Sequence, residues 1–277
     1  MIALETVTLQ EVWNFLRFGS PIGLAFSFIL GAVLGSFANV VIWRLPRAES
    51  LIKPVSHCPH CGIPIPPRYN IPILSFFILK GRSACCHQPI PSRYLIVELL
   101  CALIPTSLYF LQGWTADFLF ASLWMILLVI LAGIDLEHLR LPNPLVGFGA
   151  ALSLLWMLTA PQQSWSQAGW GFLVGLGFST VALLAGKIAV GKWSGFGDLK
   201  LAVVLGFTFG PGRFFVLYLC AALAALIYAA VRGSRLSKSR VPMGPFFALG
   251  TWVTIWCGEA IVRWYLGLWE TTALWLK

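Results

Sequence analysis

The chain has 277 residues, 58% hydrophobic and only 10% charged, with a mean hydropathy of +0.83, which excludes a soluble domain with an apolar core under a polar surface. A formal charge of +9 argues only weakly for nucleic acid, because so few charges along so apolar a chain are accounted for by the basic bias of membrane loops. The composition reads as an all-α polytopic membrane protein whose partner is the lipid bilayer, with no nucleic-acid partner.

A hydrocarbon core about 30 Å thick needs roughly 20 apolar residues per helix. On that basis about eight spans are predicted, at 21–42, 95–112, 118–134, 144–159, 170–189, 199–211, 214–231 and 245–266. Residues 1–19 lack the basic-then-apolar layout of a cleaved signal, and the run after Pro21 is too long for one, so the first span is expected to stay. The next segment, Arg44–Arg93, carries seven Lys and Arg against Glu49 alone and is therefore expected on the cytoplasmic side. Inside it, "IPILSFFILK" (71–80) is apolar but too short to span, which suits an interfacial or re-entrant piece. Alternate connections are basic as well: Lys187, Lys192 and Lys200 flank one, and Arg232, Arg235, Lys238 and Arg240 fill another. The opposite connections, "QGWTAD" and "TAPQQSWSQAG", contain no Lys or Arg, and their tryptophans suit an interface belt. The 199–211 span is short and contains Gly206 and Gly210 before Pro211, so it is expected to be tilted or joined closely to its neighbour. The expected organisation is a first transmembrane helix (1–43), a cytoplasmic cysteine-containing loop domain (44–94) and a multi-helix membrane core (95–277).

The loop holds "CPHC", with Cys58 and Cys61, and further on "ACCHQ", with Cys85, Cys86 and His87. A Cys-x-x-Cys pair aims two thiolates at one tetrahedral Zn2+, and a second cluster at this spacing closes the site as a zinc ribbon does. Cytoplasmic thiols stay reduced, which favours metal over disulfide. Since Cys85 and Cys86 are adjacent and neighbours rarely reach one ion together, the fourth ligand is Cys85 or His87. Cys101, Cys220 and Cys257 fall within spans and read as small packing residues.

Only three aspartates occur in the chain. Asp117 falls on the external side. Asp135 closes the third predicted span in "GIDLEHLRLPN" and Asp198 opens the sixth in "GFGDLK". Two spans separate them, so both are expected at the cytoplasmic boundary, where ionisable groups read as functional. Two carboxylates sharing one proton do aspartic-protease chemistry: one acts as base on water while the other donates to the scissile carbonyl. Gly195 and Gly197 fit an active-site loop, because residues without Cβ let a substrate backbone come close. The bland alternatives are a helix N-cap for Asp198 and a solvated helix end for Asp135. Glu137 is a second-choice carboxylate, Glu98 lies near the cytoplasmic start of the second span, and Glu259 with Arg263 reads as an i,i+4 helix pair.

Taken in order, "GSFANVVIWRLP", the cysteine loop, "NIPILSFFILKGR", "PIPSRYLIVELL", "IDLEHLRLPN", "GFGDLKL" and "VPMGPFFALG" resemble the motif series of type IV prepilin leader peptidases, from Gly35 to Gly250. The resemblance implies a polytopic aspartic protease of the bacterial inner membrane, its active site facing the cytoplasm, that cleaves the basic leader from prepilins or type II secretion pseudopilins with Asp135 and Asp198 as the catalytic pair. Family members with the cysteine domain also N-methylate the new amino terminus from S-adenosyl-L-methionine. The second cysteine pair of the family usually reads Cys-x-x-Cys after "GR". Here Ser83 takes the first place, Cys86 matches the second and Cys85 is the candidate replacement. The ligand set expected is Cys58, Cys61, Cys85 and Cys86, with His87 as the alternative. The competing functions are a membrane transporter using the aspartates as cation ligands, disfavoured because its coupling residues would sit near the midplane, and a pilus-assembly scaffold without chemistry.

Overall fold

The structure, a computed structural model, describes residues 20–160, 163–190, 195–232 and 241–275. Among these there is no β-strand, only two isolated antiparallel bridges, His57–Pro64 and Arg82–Pro89. The helices are α1 (Pro21–Arg44), the short α2 (Leu74–Ile78), α3 (Ser92–Gln112), α4 (Ala116–His138), α5 (Asn143–Thr159), α6 (Trp165–Val190), α7 (Phe196–Arg232) and α8 (Gly244–Trp275). Lys192, Arg235, Lys238 and Arg240, on which part of the charge argument rests, lie outside the described residues.

Six helices, α1, α3, α4, α6, α7 and α8, are long and apolar enough to cross a bilayer, and α5 is a shorter apolar helix. At 37 residues, α7 would run about 55 Å if straight, nearly twice the hydrocarbon thickness. It is not straight: Gly210 leaves the helical region at φ 73 and ψ 172, dividing α7 at the place where the two short spans were expected to meet. The protein is thus an all-α polytopic membrane protein with eight apolar segments. The break has a local cause. Pro211 has no N–H to offer the carbonyl four residues back, Phe207, and an unpaired carbonyl in a membrane helix is costly. Gln163 Nε2 supplies the missing donor at 2.7 Å from Phe207 O and also reaches Thr208 O.

The chain forms two compact units, Met1–Ile130 and Leu131–Lys277. In the first, α1 packs along α3. Ser20 opens α1, its Oγ accepting the Gly23 N–H at 3.0 Å ahead of Pro21 in the first turn. The helix is inside-out by soluble standards: Ile22, Phe26, Ile29, Val33 and Phe37 are exposed, while Gly23, Ser27, Gly31 and Gly35 are buried. Small residues let backbones approach where lipid provides no hydrophobic drive between helices. Gly31 lies on the Cys101 carbonyl, which Pro105 leaves without its i+4 donor, and a Cβ on Gly35 would meet Glu98 Cα at 2.8 Å. In the second unit, α6 packs on α7, α7 on α8 and α5 on α7. Gly171 and Gly206 interlock carbonyl against Cα, and a Cβ on Gly175 would meet Ala202 O at 2.7 Å. This close approach fixes the start of α7, where Asp198 sits.

Candidate functional site

Two turns of similar construction carry the cysteines. In the first, Cys58 N–H donates to Ile63 O at 2.9 Å and Gly62 N–H to Cys58 O at 2.8 Å. In the second, Ser83 N–H donates to Gln88 O at 2.8 Å and His87 N–H to Ser83 O at 3.0 Å. The isolated bridges close both in the same register, and Gly62 (φ 73) and His87 (φ 57) hold the same left-handed position. Ser83 therefore stands where the first turn has Cys58, and Cys86 where it has Cys61. His87 is a turn residue in this arrangement and is not among the gathered ligands.

Cys85 completes the set from an unmatched position. All four thiols, Cys58, Cys61, Cys85 and Cys86, have Sγ atoms within 4.8 Å of one another, with Cys58–Cys86 at 3.6 Å and Cys61–Cys85 at 3.2 Å. Tetrahedral zinc with Zn–S bonds of about 2.3 Å places its sulfurs about 3.8 Å apart, so the donors fit a metal of that size. Adjacent Cys85 and Cys86 both reach the centre, and Ser83 Oγ accepts the Cys86 N–H at 3.4 Å. Burial opposes a charge on Cys58, but the Cys61 and His60 N–H groups and the Cys85 and Cys86 thiols outweigh it and bring its pKa down to about 6. Cys61 goes the other way. The Ile63 N–H favours its thiolate, yet the contact with Cys85, with desolvation and Cys58, pushes it up to about 12. The cluster gives up its protons in steps.

The two aspartates lie in the second unit. Asp135 is in the last turn of α4 and only 5% exposed. Asp198 is half-buried in the first turn of α7, and the carboxylates are close enough to interact electrostatically. Asp198 does not occupy the capping position: Gly195 O accepts the first helical N–H, from Leu199 at 2.9 Å, and Asp198 follows inside the first turn. Gly195 adopts φ 95, where a side chain would be strained and its Cβ would crowd Asp198 Oδ2 at 3.3 Å. Gly197 packs on the buried Leu141, which a Cβ would meet at 3.0 Å, and so draws the segment after α4 onto the start of α7. Lys200 Nζ bonds Asn143 Oδ1 at 3.0 Å across the same end.

Asp135 has a partner that sequence reasoning passed over. The Gly244 N–H, at the first residue of α8, donates to its Oδ2 at 2.8 Å. A Cβ on Gly244 would lie 3.1 Å from both Ala132 Cα and Asp135 Cβ, a tight fit that glycine relieves at the N-terminus of α8. The signal was the "VPMG" just before an apolar run, a helix start whose free N–H groups need acceptors. Glu137 is exposed and faces His138 at 4.0 Å. Glu259 pairs with Arg263 at 3.1 Å, as its spacing suggests, and also with Arg213 of α7 at 2.7 Å. Of the span cysteines, Cys101 is buried and Cys220 half-buried, while Cys257 is exposed.

Residues 29–112 match the bacterial peptidase A24 N-terminal domain, and residues 119–230 match the type IV leader peptidase family. The chain is 32% identical to a prepilin leader peptidase/N-methyltransferase of Aeromonas hydrophila, over 86% of this chain and 92% of the relative. It is 34% identical to a type 4 prepilin-like proteins leader peptide-processing enzyme of Escherichia coli (82% and 91%), and 32% identical to a prepilin leader peptidase/N-methyltransferase of Dichelobacter nodosus (87% and 94%). No solved structure matches.

Proposed function

Because this chain belongs to the type IV leader peptidase family, we propose that it cleaves the basic leader from type IV prepilins or type II secretion pseudopilins with Asp135 and Asp198 as the catalytic pair, and then N-methylates the new amino terminus. The observation that supports the reading is that the two carboxylates, at the ends of α4 and α7, are close enough to interact electrostatically. A pilin precursor lays its apolar helix in the bilayer and leaves its leader outside, so its scissile bond lies at the depth of these helix ends. One carboxylate takes a proton from water as the water attacks the carbonyl carbon. The other donates to the carbonyl oxygen, and collapse of the tetrahedral species passes a proton to the leaving amine. The Gly244 N–H holds Asp135 by its Oδ2. Gly195 and Gly197 give the substrate backbone room.

Residues 44–94 are read as a cytoplasmic loop domain, with the protein in the bacterial inner membrane and the aspartates facing the cytoplasm; the basic Arg44–Arg93 segment supports that orientation. Cys58, Cys61, Cys85 and Cys86 would hold a structural Zn2+, which when bound cross-links the two turns. S-adenosyl-L-methionine is the methyl donor in this reading. The deciding experiment incubates purified protein with a prepilin of defined leader and follows the shortened product by mass. Wild-type protein is expected to release the leader, and Asp135→Asn or Asp198→Asn to release none; substantial processing by either variant refutes the pair.

A further inference from the structure

The first unit contains a cavity of about 430 Å3, bounded by α1, the start of α3 and the cysteine loop, and reaching Cys58 and Cys85. Its size lies within the roughly 300–1,000 Å3 of pockets that hold small molecules. The aspartate pair has no part in it, and three features on its wall or directly bonded to it are ones that packing alone does not call for. Glu98 is a carboxylate at the edge of a membrane helix, and its Oε2 accepts the Ile73 N–H at 2.7 Å. Ile73 is a β-branched residue at φ 63 and ψ −54, closed by a Leu74 N–H to Pro72 O bond of 2.6 Å. Such backbone is strained, persists only where the surroundings hold it, and clusters at ligand sites. The third feature is Asn39, 2% exposed, whose Nδ2 donates to Gly35 O and Tyr94 O while its Oδ1 has no donor.

The remaining lining sorts by chemistry. Trp43, Tyr69 and Tyr94 line it with aromatic rings, Trp43 carrying Arg47 over one face at 3.6 Å and Tyr94 carrying Arg93 at 5.1 Å, and Arg68, beside the Tyr69 ring at 4.9 Å, offers a cation. Together the wall presents a carboxylate and an unpaired amide oxygen for a cationic group, an arginine for a carboxylate and rings for a planar base. A purely apolar occupant, such as a lipid tail, would lie against the Glu98 carboxylate and leave Asn39 Oδ1 without a donor, at a cost. A ligand with a cationic centre, an amino-acid carboxylate and an aromatic base answers each of them.

We propose that this cavity binds the methyl donor, a sulfonium nucleoside of the S-adenosylmethionine class, with Glu98 and Asn39 at its cationic amino-acid end and the aromatic residues at its base. The proposal rests on the methyl-transfer reading and gives it a location.

The test uses the full chain in detergent micelles and [methyl-3H]S-adenosylmethionine. Ultraviolet cross-linking of wild-type protein is followed by peptide mapping, equilibrium binding is measured beside Glu98→Gln, and methylation of an already cleaved pilin is scored by mass. The label is expected on a peptide within residues 36–98, and Glu98→Gln is expected to weaken binding by about tenfold or more, the loss typical of a charge-assisted contact. Zinc content of Glu98→Gln checks that the loop remains folded, and the wild-type label map needs no variant at all. A label wholly outside residues 36–98, or unchanged affinity in folded Glu98→Gln, overturns the location while a methylated product leaves the methyl-transfer reading standing. Absence of both binding and methylated product overturns the two together.

Discussion

The four thiols come from a segment whose ends, Cys58 and Cys86, are 28 residues apart, and each turn is closed by its own backbone bonds. The aspartate pair is built otherwise. Asp135 and Asp198 sit at the ends of helices separated by two others, and the donor that fixes Asp135 comes from Gly244, 109 residues away. One cluster depends on local turn geometry, the other on glycines that let membrane helices approach. Damage to either should therefore leave the other intact, a separation that the following measurements can break or sharpen.

The largest effect is expected at the aspartates. Either Asp→Asn change keeps shape while removing the charge and the shared proton, so leader cleavage should fall on the order of 10^4-fold, and the double variant should be no worse than either single, because such groups act as a unit. Zinc content and methyl transfer onto an already cleaved pilin should stay as in wild type. Concerted loss of all three would join the two sites. Next in size is Cys58→Ser, in which zinc should drop from about one equivalent to none and limited proteolysis should open residues 44–94. A metal-free loop that still resists protease would remove the metal from the account.

Gly244→Ala probes the aspartate side more gently. The added Cβ presses on Ala132 and Asp135, and a misplaced catalytic group costs on the order of 10^2-fold. The loss should fall on kcat, with KM little changed. Glu137→Gln, at an exposed carboxylate beside His138, should be much milder.

How far each site could be read from the chain follows from the same contrast. The spans were legible because apolar length is a local property, and even the division of α7 was visible in Gly210 and Pro211. Counting crossings gave the expectation that both aspartates lie at one boundary. What escaped was set by contacts remote in sequence. Nothing near "VPMG" names Asp135 as its acceptor, and nothing near Gln163 says that it serves Phe207 O. Nor does hydropathy tell the lipid-facing Ile29 from a buried neighbour, since both faces of α1 are apolar or small. In the cysteine loop, adjacency of Cys85 and Cys86 argued against both being ligands; the turn around Ser83 brings both to the centre.

Gln163→Ala should cost about 1 kcal/mol of stability, the low end of the penalty for leaving a carbonyl without a donor, because the Phe207 carbonyl is only part-buried. It would appear as a lower midpoint in denaturant unfolding of the micellar protein, with zinc content unchanged. That loss would belong to the aspartate side alone, because Gln163 bonds only within the second unit.

The smallest expected effect asks whether the metal site is as local as its bonding suggests. If the two turns are alike in construction, the place of Ser83 is where a thiol would sit by the symmetry of the backbone, and Cys85 does its work from outside that symmetry. Ser83→Cys alone should then change zinc content little, since four donors are already present. Cys85→Ser alone should lose most of the metal, and the double variant Ser83→Cys with Cys85→Ser should recover it, because the new thiol replaces the Ser83 Oγ that already lies 3.0 Å from Cys86 Sγ. Zinc measured by atomic absorption on the three purified proteins decides the matter. Retention by Cys85→Ser would mean that a residue outside the four thiols completes the site, with His87 the nearest claimant. Failure of the double variant to recover metal would mean that the two turns share a hydrogen-bond pattern without sharing a ligand geometry.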